Sequence, residues 1–345
     1  MFLLRKQKQK ERGLVVIGKR VHTMHMSDGL ISTPVAAVAA VAAAALIAVA
    51  GTRVKKMQRS DLVPLTGVLG AFVFAAQMVN FSIPGTGSSG HIIGGVLLAA
   101  FLGPWAAFLA LSSVIIIQCL LFADGGLLAL GCNIVNMAAM SCLVAYPLVY
   151  KPLTGRSPSV ARTMCASVAA CTVALEAGAC LVAAETKLSG VTALSTGTFL
   201  LLMTGIHLAI GVGEGLATGA VLGFVRRVKP SLLDRGTQTG HKVPTGAVVA
   251  FALAAAAIGG GLSLAASQDP DGLEWSVEKV AGTGEPESGG TAAAVAAKVQ
   301  NGTAAMPGYD NTLSGVIGAS LVMLTVWGVC SLLTRRRPVA VKVRK

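Results

Sequence analysis

Eight apolar stretches of about 20 residues or more recur along the chain, near 32–52, 62–81, 91–122, 130–150, 160–184, 197–225, 244–267 and 313–333, and that is the length an α-helix needs to cross a bilayer. Backbone polar groups find no water in hydrocarbon, so runs of this kind restrict the chain to membrane-spanning helices. Of the 345 residues, 54% are hydrophobic and only 12% charged, roughly half the charged share of a soluble domain. The expected class is an all-α integral membrane protein with membrane lipid as its surroundings. The net charge of +13 would suggest nucleic acid for a soluble chain. Here the basic residues form short clusters between apolar runs, which reads as topology, with no nucleic acid as partner.

The third window is too long for one upright helix, short for two full ones, and broken by Gly103-Pro104. Loop charge decides how it crosses. Basic clusters lie in 53–59 (Arg53, Lys55, Lys56, Arg59), in 151–162 (Lys151, Arg156, Arg162), in 226–242 (Arg226, Arg227, Lys229, Arg235, Lys242) and after Thr334, and such clusters mark the cytoplasmic side. The first two share a side only if 91–122 crosses twice, as a short helix pair turning at Gly103-Pro104. The count becomes about seven segments in a core and two C-terminal transmembrane helices. The opposite loops, 82–90, 123–129, 185–196 and 268–312, hold only Lys187, Lys279 and Lys298 as basic residues.

The same parity puts the residues before 32 outside, yet 1–23 carries seven basic residues. It also lacks the apolar stretch of a secretory signal. The expectation is a basic extension absent from the mature protein, followed by a core over 24–230, a basic cytoplasmic linker over 231–243 and a two-helix module with an outer loop over 244–345. Seven acidic residues against two basic, with Gly, Ser and Ala repeats, make 268–312 read as a flexible, mostly exposed loop. Its carboxylates suit hard cations, so it should assist uptake without forming the primary site.

All seven cysteines sit in apolar segments without CxxC spacing, which reads as packing. His22 and His241 lie in basic, polar segments and read as solvated. A chain opening at Met24 would begin Met-His-Met-Ser-Asp-Gly. Its α-amine, the deprotonated His25 amide and the His25 imidazole then reach one metal through fused five- and six-membered chelate rings. Nitrogen donors in a square plane suit Ni(II) or Cu(II), whereas zinc prefers a tetrahedron. His91, in Gly85-Thr86-Gly87-Ser88-Ser89-Gly90-His91 on the same side, is the candidate fourth donor; by residue chemistry alone it reads equally as a helix-capping residue. Asp124-Gly125-Gly126, with Gln118 before it and Asn133, Asn136 and Met137 after it, makes a polar turn whose amides could bond the loop that closes over a ligand. A plain turn accounts for it equally.

His207 and Glu214 fall on one helix face with Glu176 in the preceding segment. Ionisable groups in a membrane are costly and usually face a protein interior, which leaves structural pairing or a proton relay as readings. Gly211, Gly213 and Gly215 allow close helix approach. No GxxxxGK[ST] phosphate loop and no HExxH pair occurs, so the chain has no ATPase site of that kind, and a membrane hydrolase built on His207 and Glu214 lacks a positioned nucleophile.

Several motifs in order, Met24-His25-Met26-Ser27-Asp28-Gly29, Gly90-His91-Ile92-Ile93-Gly94-Gly95, Leu102-Gly103-Pro104-Trp105-Ala106-Ala107, Gln118 through Phe122-Ala123-Asp124-Gly125-Gly126, Asn133-Ile134-Val135-Asn136-Met137 and His207 through Glu214-Gly215, resemble the CbiM/NikM family over about 24–230. Pro270-Asp271-Gly272-Leu273-Glu274-Trp275, followed by Pro307-Gly308-Tyr309, is similar to the PDGLE signature of NikN-like accessory components. The resemblance implies the substrate-capture membrane subunit of an energy-coupling-factor importer, a transporter subunit and not an enzyme, in a prokaryotic cell membrane. Its implied substrate is Ni2+ or Co2+, with the PDGLE signature favouring nickel. Its implied partners are a membrane coupling protein and cytoplasmic ATPase subunits. Met24 amine, His25 amide and imidazole, and His91 imidazole are the ligands that it implies. A proton-coupled secondary metal carrier using Glu176, His207 and Glu214 is the alternative.

Overall fold

The computed structural model describes residues 24–155, 158–191, 194–233, 243–282, 286, 289–309 and 312–334. The basic extension 1–23, His241 and most of the linker lie outside the described residues. The elements run α1 (Thr33–Met57), α2 (Val63–Gln77), a hairpin of β1 (Phe81–Ile83) and β2 (Ser88–Gly90), α3 (Gly95–Leu102), α4 (Pro104–Phe122), α5 (Leu130–Thr154), α6 (Val160–Ser189), α7 (Thr196–Val228), α8 (Thr245–Gly260), α9 (Gly272–Ala281), α10 (Thr291–Thr303) and α11 (Thr312–Thr334). Eight helices among the described residues are long and apolar enough to span a membrane. Their outward sides carry bare apolar side chains such as Val38, Leu148, Leu201, Phe224 and Leu253, as lipid contact requires.

The third window does break at Gly103, whose φ of 79° ends α3 and whose neighbour Pro104 starts α4. The first member of that pair is only eight residues long, or about 12 Å, too short to span. Residues 91–94 precede it outside helical conformation, and backbone of that kind is tolerated inside a membrane bundle only where protein satisfies it. Glu214 of α7 does so, accepting from Ile93 N at 2.8 Å with one oxygen and from Gly94 N at 2.9 Å with the other. Gln77 donates to Ile93 O at 2.9 Å. An intramembrane carboxylate thus caps the exposed N–H groups of a half-helix.

Small residues set the remaining spacing. Gly211 and Gly219 of α7 face Thr172 and Met164 of α6 so closely that a Cβ would lie 2.7 Å from Thr172 Cα and 2.5 Å from Met164 Sδ. Of the cysteines, five are buried, whereas Cys165 and Cys180 are exposed on α6. The C-terminal helices α8 and α11 pack on α2, with Gly67 and Gly70 set against Trp327, Val322 and Val326.

The described residues of the segment expected to be a flexible outer loop are instead folded onto the core. Asp271 caps α9 through Leu273 N at 3.0 Å, and Gly282 with φ 73° stops it. The face presented by Leu273 and Val277 joins Met26, Leu30, Ile31, Phe199 and Met203 in a second apolar cluster. Composition failed here because the 3.6-residue apolar face of a ten-residue helix is short and diluted by surrounding Gly and Ser.

Candidate metal centre

Residues 24–31 form a strap lying across the turn that follows α4. Ala123 at φ 53° ends that helix and aims Asp124 inward. Met24 N donates to Asp124 Oδ1 at 2.7 Å, Met26 N to Asn133 Oδ1 at 3.0 Å, and Asn133 Nδ2 returns a bond to Met26 O at 3.1 Å. Gly126 N donates to Met26 O at 2.9 Å, and Ala129 N to Asp28 Oδ1 at 3.0 Å. Gly125 has φ 80°, and a Cβ there would lie 2.6 Å from His25 Cβ. The two glycines are what let the strap approach this closely.

His91 follows directly from β2, and its ring stands edge-on to that of His25 with centroids 5.8 Å apart. Both are almost fully buried. His25 Nδ1 lies 3.0 Å from Asp124 Oδ1 but off the line of a hydrogen bond. His91 Nδ1 meets Asp271 Oδ2 at 2.9 Å. Three imidazole nitrogens, both of His25 and Nε2 of His91, are therefore buried without a hydrogen-bond partner, at a cost that folding does not normally accept. Met24 N and His25 Nδ1, the two nitrogens whose chelate rings would close on one ion, converge on the same carboxylate oxygen.

Burial drives the Asp124 carboxyl up, but His25, the Met24 N–H and the Tyr309 hydroxyl outweigh it and hold the group below its ordinary value. On the other side of the pair the Asp271 carboxylate faces His91 Nδ1. Each of the two histidines thus has a carboxyl group beside it. Among the described residues no three His, Cys, Asp or Glu side chains are grouped to hold a metal. An ion beside His25 and His91 would have to draw on main-chain nitrogen as well, which the strap supplies. A cavity of about 60 Å3 opens beside the pair, lined among others by Met26, Asn136, Met137, Met203 and His207.

The residues singled out from sequence do not all gather here. Met24, His25, His91, Asp124 and Asn133 do. Asn136 lines the cavity but donates to Glu185 at 2.7 Å, and Gln118 donates to Gln77 Oε1 at 2.9 Å; neither bonds the strap. His207 Nδ1 lies 2.7 Å from Met203 O, Glu214 serves α3, and Glu176 Oε1 has no partner. No hydrogen bond among the described residues links these three into a relay. Sequence reasoning missed three residues of the C-terminal module. Asp271 holds His91, Tyr309 donates to Asp124 Oδ2 at 2.8 Å, and Gln300 donates to Gly125 O at 2.7 Å. Asp271 and Tyr309 stand in the signature noted above, but nothing local in that signature tells which residues they meet.

The family described as the cobalt uptake substrate-specific transmembrane region, CbiM, matches residues 25–232, and the PDGLE domain matches 245–335. The putative fused nickel transport protein NikMN of Archaeoglobus fulgidus is 33% identical over 217 residues, covering 63% of this chain and 70% of the relative. The fused nickel transport protein NikMN of Rhodobacter capsulatus is 30% identical over 223 residues, with 61% and 64% covered. The cobalt transport protein CbiM of Geobacter sulfurreducens is 28% identical over 291 residues, with 78% and 81% covered. A crystal structure of a transition metal transporter superimposes with a TM-score of 0.52 at 31% identity, over 59% of this chain and 93% of that one.

Proposed function

Because the chain belongs to the CbiM family of metal-uptake membrane proteins, here fused to a NikN-like PDGLE module, we propose that it is the substrate-capture subunit of an ATP-driven energy-coupling-factor importer, with nickel as its preferred ion and cobalt as the close second. It is a multi-pass prokaryotic membrane protein and a component of a metal-uptake transporter. In this reading residues 24–230 are the capture core, 231–243 a cytoplasmic linker and 244–345 the accessory module. A membrane coupling protein and cytoplasmic ATPase subunits supply the driving force.

The observation that carries the reading is the set of unpartnered imidazole nitrogens of His25 and His91 beside Met24 N. The ion binds the Met24 amine, the His25 amide, the His25 imidazole through Nδ1 and the His91 imidazole through Nε2. Ring size dictates Nδ1 for His25. Four nitrogens in a plane favour nickel over zinc, and release requires the strap to part from the hairpin that carries His91. Asp124 and Asn133 hold the strap in register; Gln118 stands behind Asp124, whose main-chain N–H donates to Gln118 O, and Asn136 lines the adjacent cavity.

The amine is a donor only where Met24 begins the mature chain. Metal analysis of the purified protein, with its N-terminus sequenced in the same sample, tests this. Tightly held nickel is expected on chains that start at Met24; tightly bound nickel on chains retaining 1–23 would refute the donor set. Transport is expected to stop when the partner ATPase is inactivated and to resist uncoupler at fixed ATP. Uptake that collapses with uncoupler under those conditions would instead favour the proton-coupled carrier.

A further inference from the structure

We infer that Asp271, in the C-terminal module, is the positioning residue that fixes His91 with Nδ1–H toward the module and Nε2 toward the ion. The inference rests on the reading of His91 as a nickel donor. It assigns to the fused module a direct part in building the metal pocket.

Three observations carry it. The Asp271 carboxylate uses its two oxygens separately, Oδ1 accepting from Leu273 N at 3.0 Å and Oδ2 meeting His91 Nδ1 at 2.9 Å. Helix capping accounts for only the first of these. The segment leading into α9 is also stitched to the hairpin that carries His91. Ser89 N donates to Pro270 O at 2.8 Å, Ser89 Oγ to Asp269 O at 2.8 Å and Trp275 Nε1 to Thr86 O at 3.1 Å. Finally, His91 Nε2 is buried and has no hydrogen-bond partner, while Asp271 is itself only 3% exposed.

The chemistry then follows from the two nitrogens of one ring. An ionised carboxylate only accepts, so in a neutral imidazole the proton sits on Nδ1 and the lone pair on Nε2. Metal-binding histidines are commonly held this way, with the second nitrogen donating to a carboxylate that fixes tautomer and ring orientation. Because Oδ1 is pinned at the head of α9, Oδ2 has little freedom, and the ring is set before the ion arrives.

The test uses the protein beginning at Met24 with its C-terminal module, in detergent, with nickel equilibrium dialysis and the visible absorption band of bound nickel. Asp271→Asn keeps an acceptor for Leu273 N and removes the charge facing His91; Asp271→Ala removes both. Nickel affinity should fall about tenfold for Asn and up to about 100-fold for Ala, with the absorption band shifted in both. In a His91→Ala background the Asp271→Asn change should have no further effect, since coupled residues are not additive. Thermal melting of each variant separates loss of the α9 cap from loss of the site. Wild-type affinity and spectrum in Asp271→Asn and Asp271→Ala, or additive losses in the double variant, would overturn this inference alone. Unchanged nickel binding in His91→Ala would overturn the donor assignment together with it.

Discussion

The two sides of the proposed metal pocket are held by different means. The strap with Met24 and His25 takes its hydrogen bonds from the CbiM-like core, through Asp124, Asn133 and the amides of Gly126 and Ala129, while Leu273 and Val277 of the module pack on its apolar side. The His91 side is anchored in the core, where Glu214 holds the Ile93 and Gly94 amides and Gln77 the Ile93 carbonyl, and in the C-terminal module, where Asp271 holds the ring and Pro270 and Trp275 hold the hairpin. Tyr309 and Gln300 reach from the module to the strap side as well, but they touch Asp124 and Gly125, never the donors themselves. The strap side is therefore organised by the core with support from the module, whereas the His91 ring depends on the module directly.

Substitutions can break or sharpen that contrast. The largest effect is expected from His91→Ala, which removes a donor and should weaken nickel binding by more than the roughly 100-fold that loss of an outer-shell partner brings, with the protein still folded by its melting curve. Equal affinity in that variant would erase the distinction between the two sides. Next comes Gly125→Ala. An L-residue at φ 80° costs about 1–2 kcal/mol, and the new Cβ lies 2.6 Å from His25 Cβ. Nickel affinity should fall about 10- to 100-fold, measured by dialysis; a variant that binds normally would mean the strap is not fixed by this turn. Tyr309→Phe removes a bond to a buried carboxylate, and its thermal stability should drop by about 1.5–3 kcal/mol. Its nickel affinity should suffer less than that of Gly125→Ala, since Asp124 keeps Met24 and His25. The smallest change belongs to Gln300→Ala, about 1 kcal/mol of stability with nickel affinity almost unaltered. Losses at Gln300 comparable to those at Asp271 would show that the module organises both sides alike.

Much of this architecture was readable from local pattern. Apolar windows gave the long helices, Gly103-Pro104 gave the break between α3 and α4, and the Met24-His25 pair and His91, proposed as nitrogen donors, are residues that the fold does bring together. Glu214 and His207 were legible as buried polar groups on a helix but not in their roles. The partner of Glu214 is a pair of backbone amides 120 and 121 residues away, and main-chain donors leave no mark in a sequence. The folding of 268–312 onto the core went unread for a related reason. Its helices are short, and what docks them is contact with distant segments, the strap, the hairpin and one side of α7.

The sequence by itself determined the solvent, since apolar windows of membrane length leave the chain no other environment, and it defined the chelate open to the proposed donors, since ring closure between an amine, an amide and an imidazole depends only on adjacent residues. Only the tertiary structure decided which carboxylate stands behind each donor. Asp271 and His91 are 180 residues apart, and Tyr309 and Asp124 are 185 apart. Periodicity records which face of a helix is buried, and a single polar contact between two distant turns has no period. It is chosen by the packing of whole helices, among them α8 and α11 on α2, and appears only once they have met.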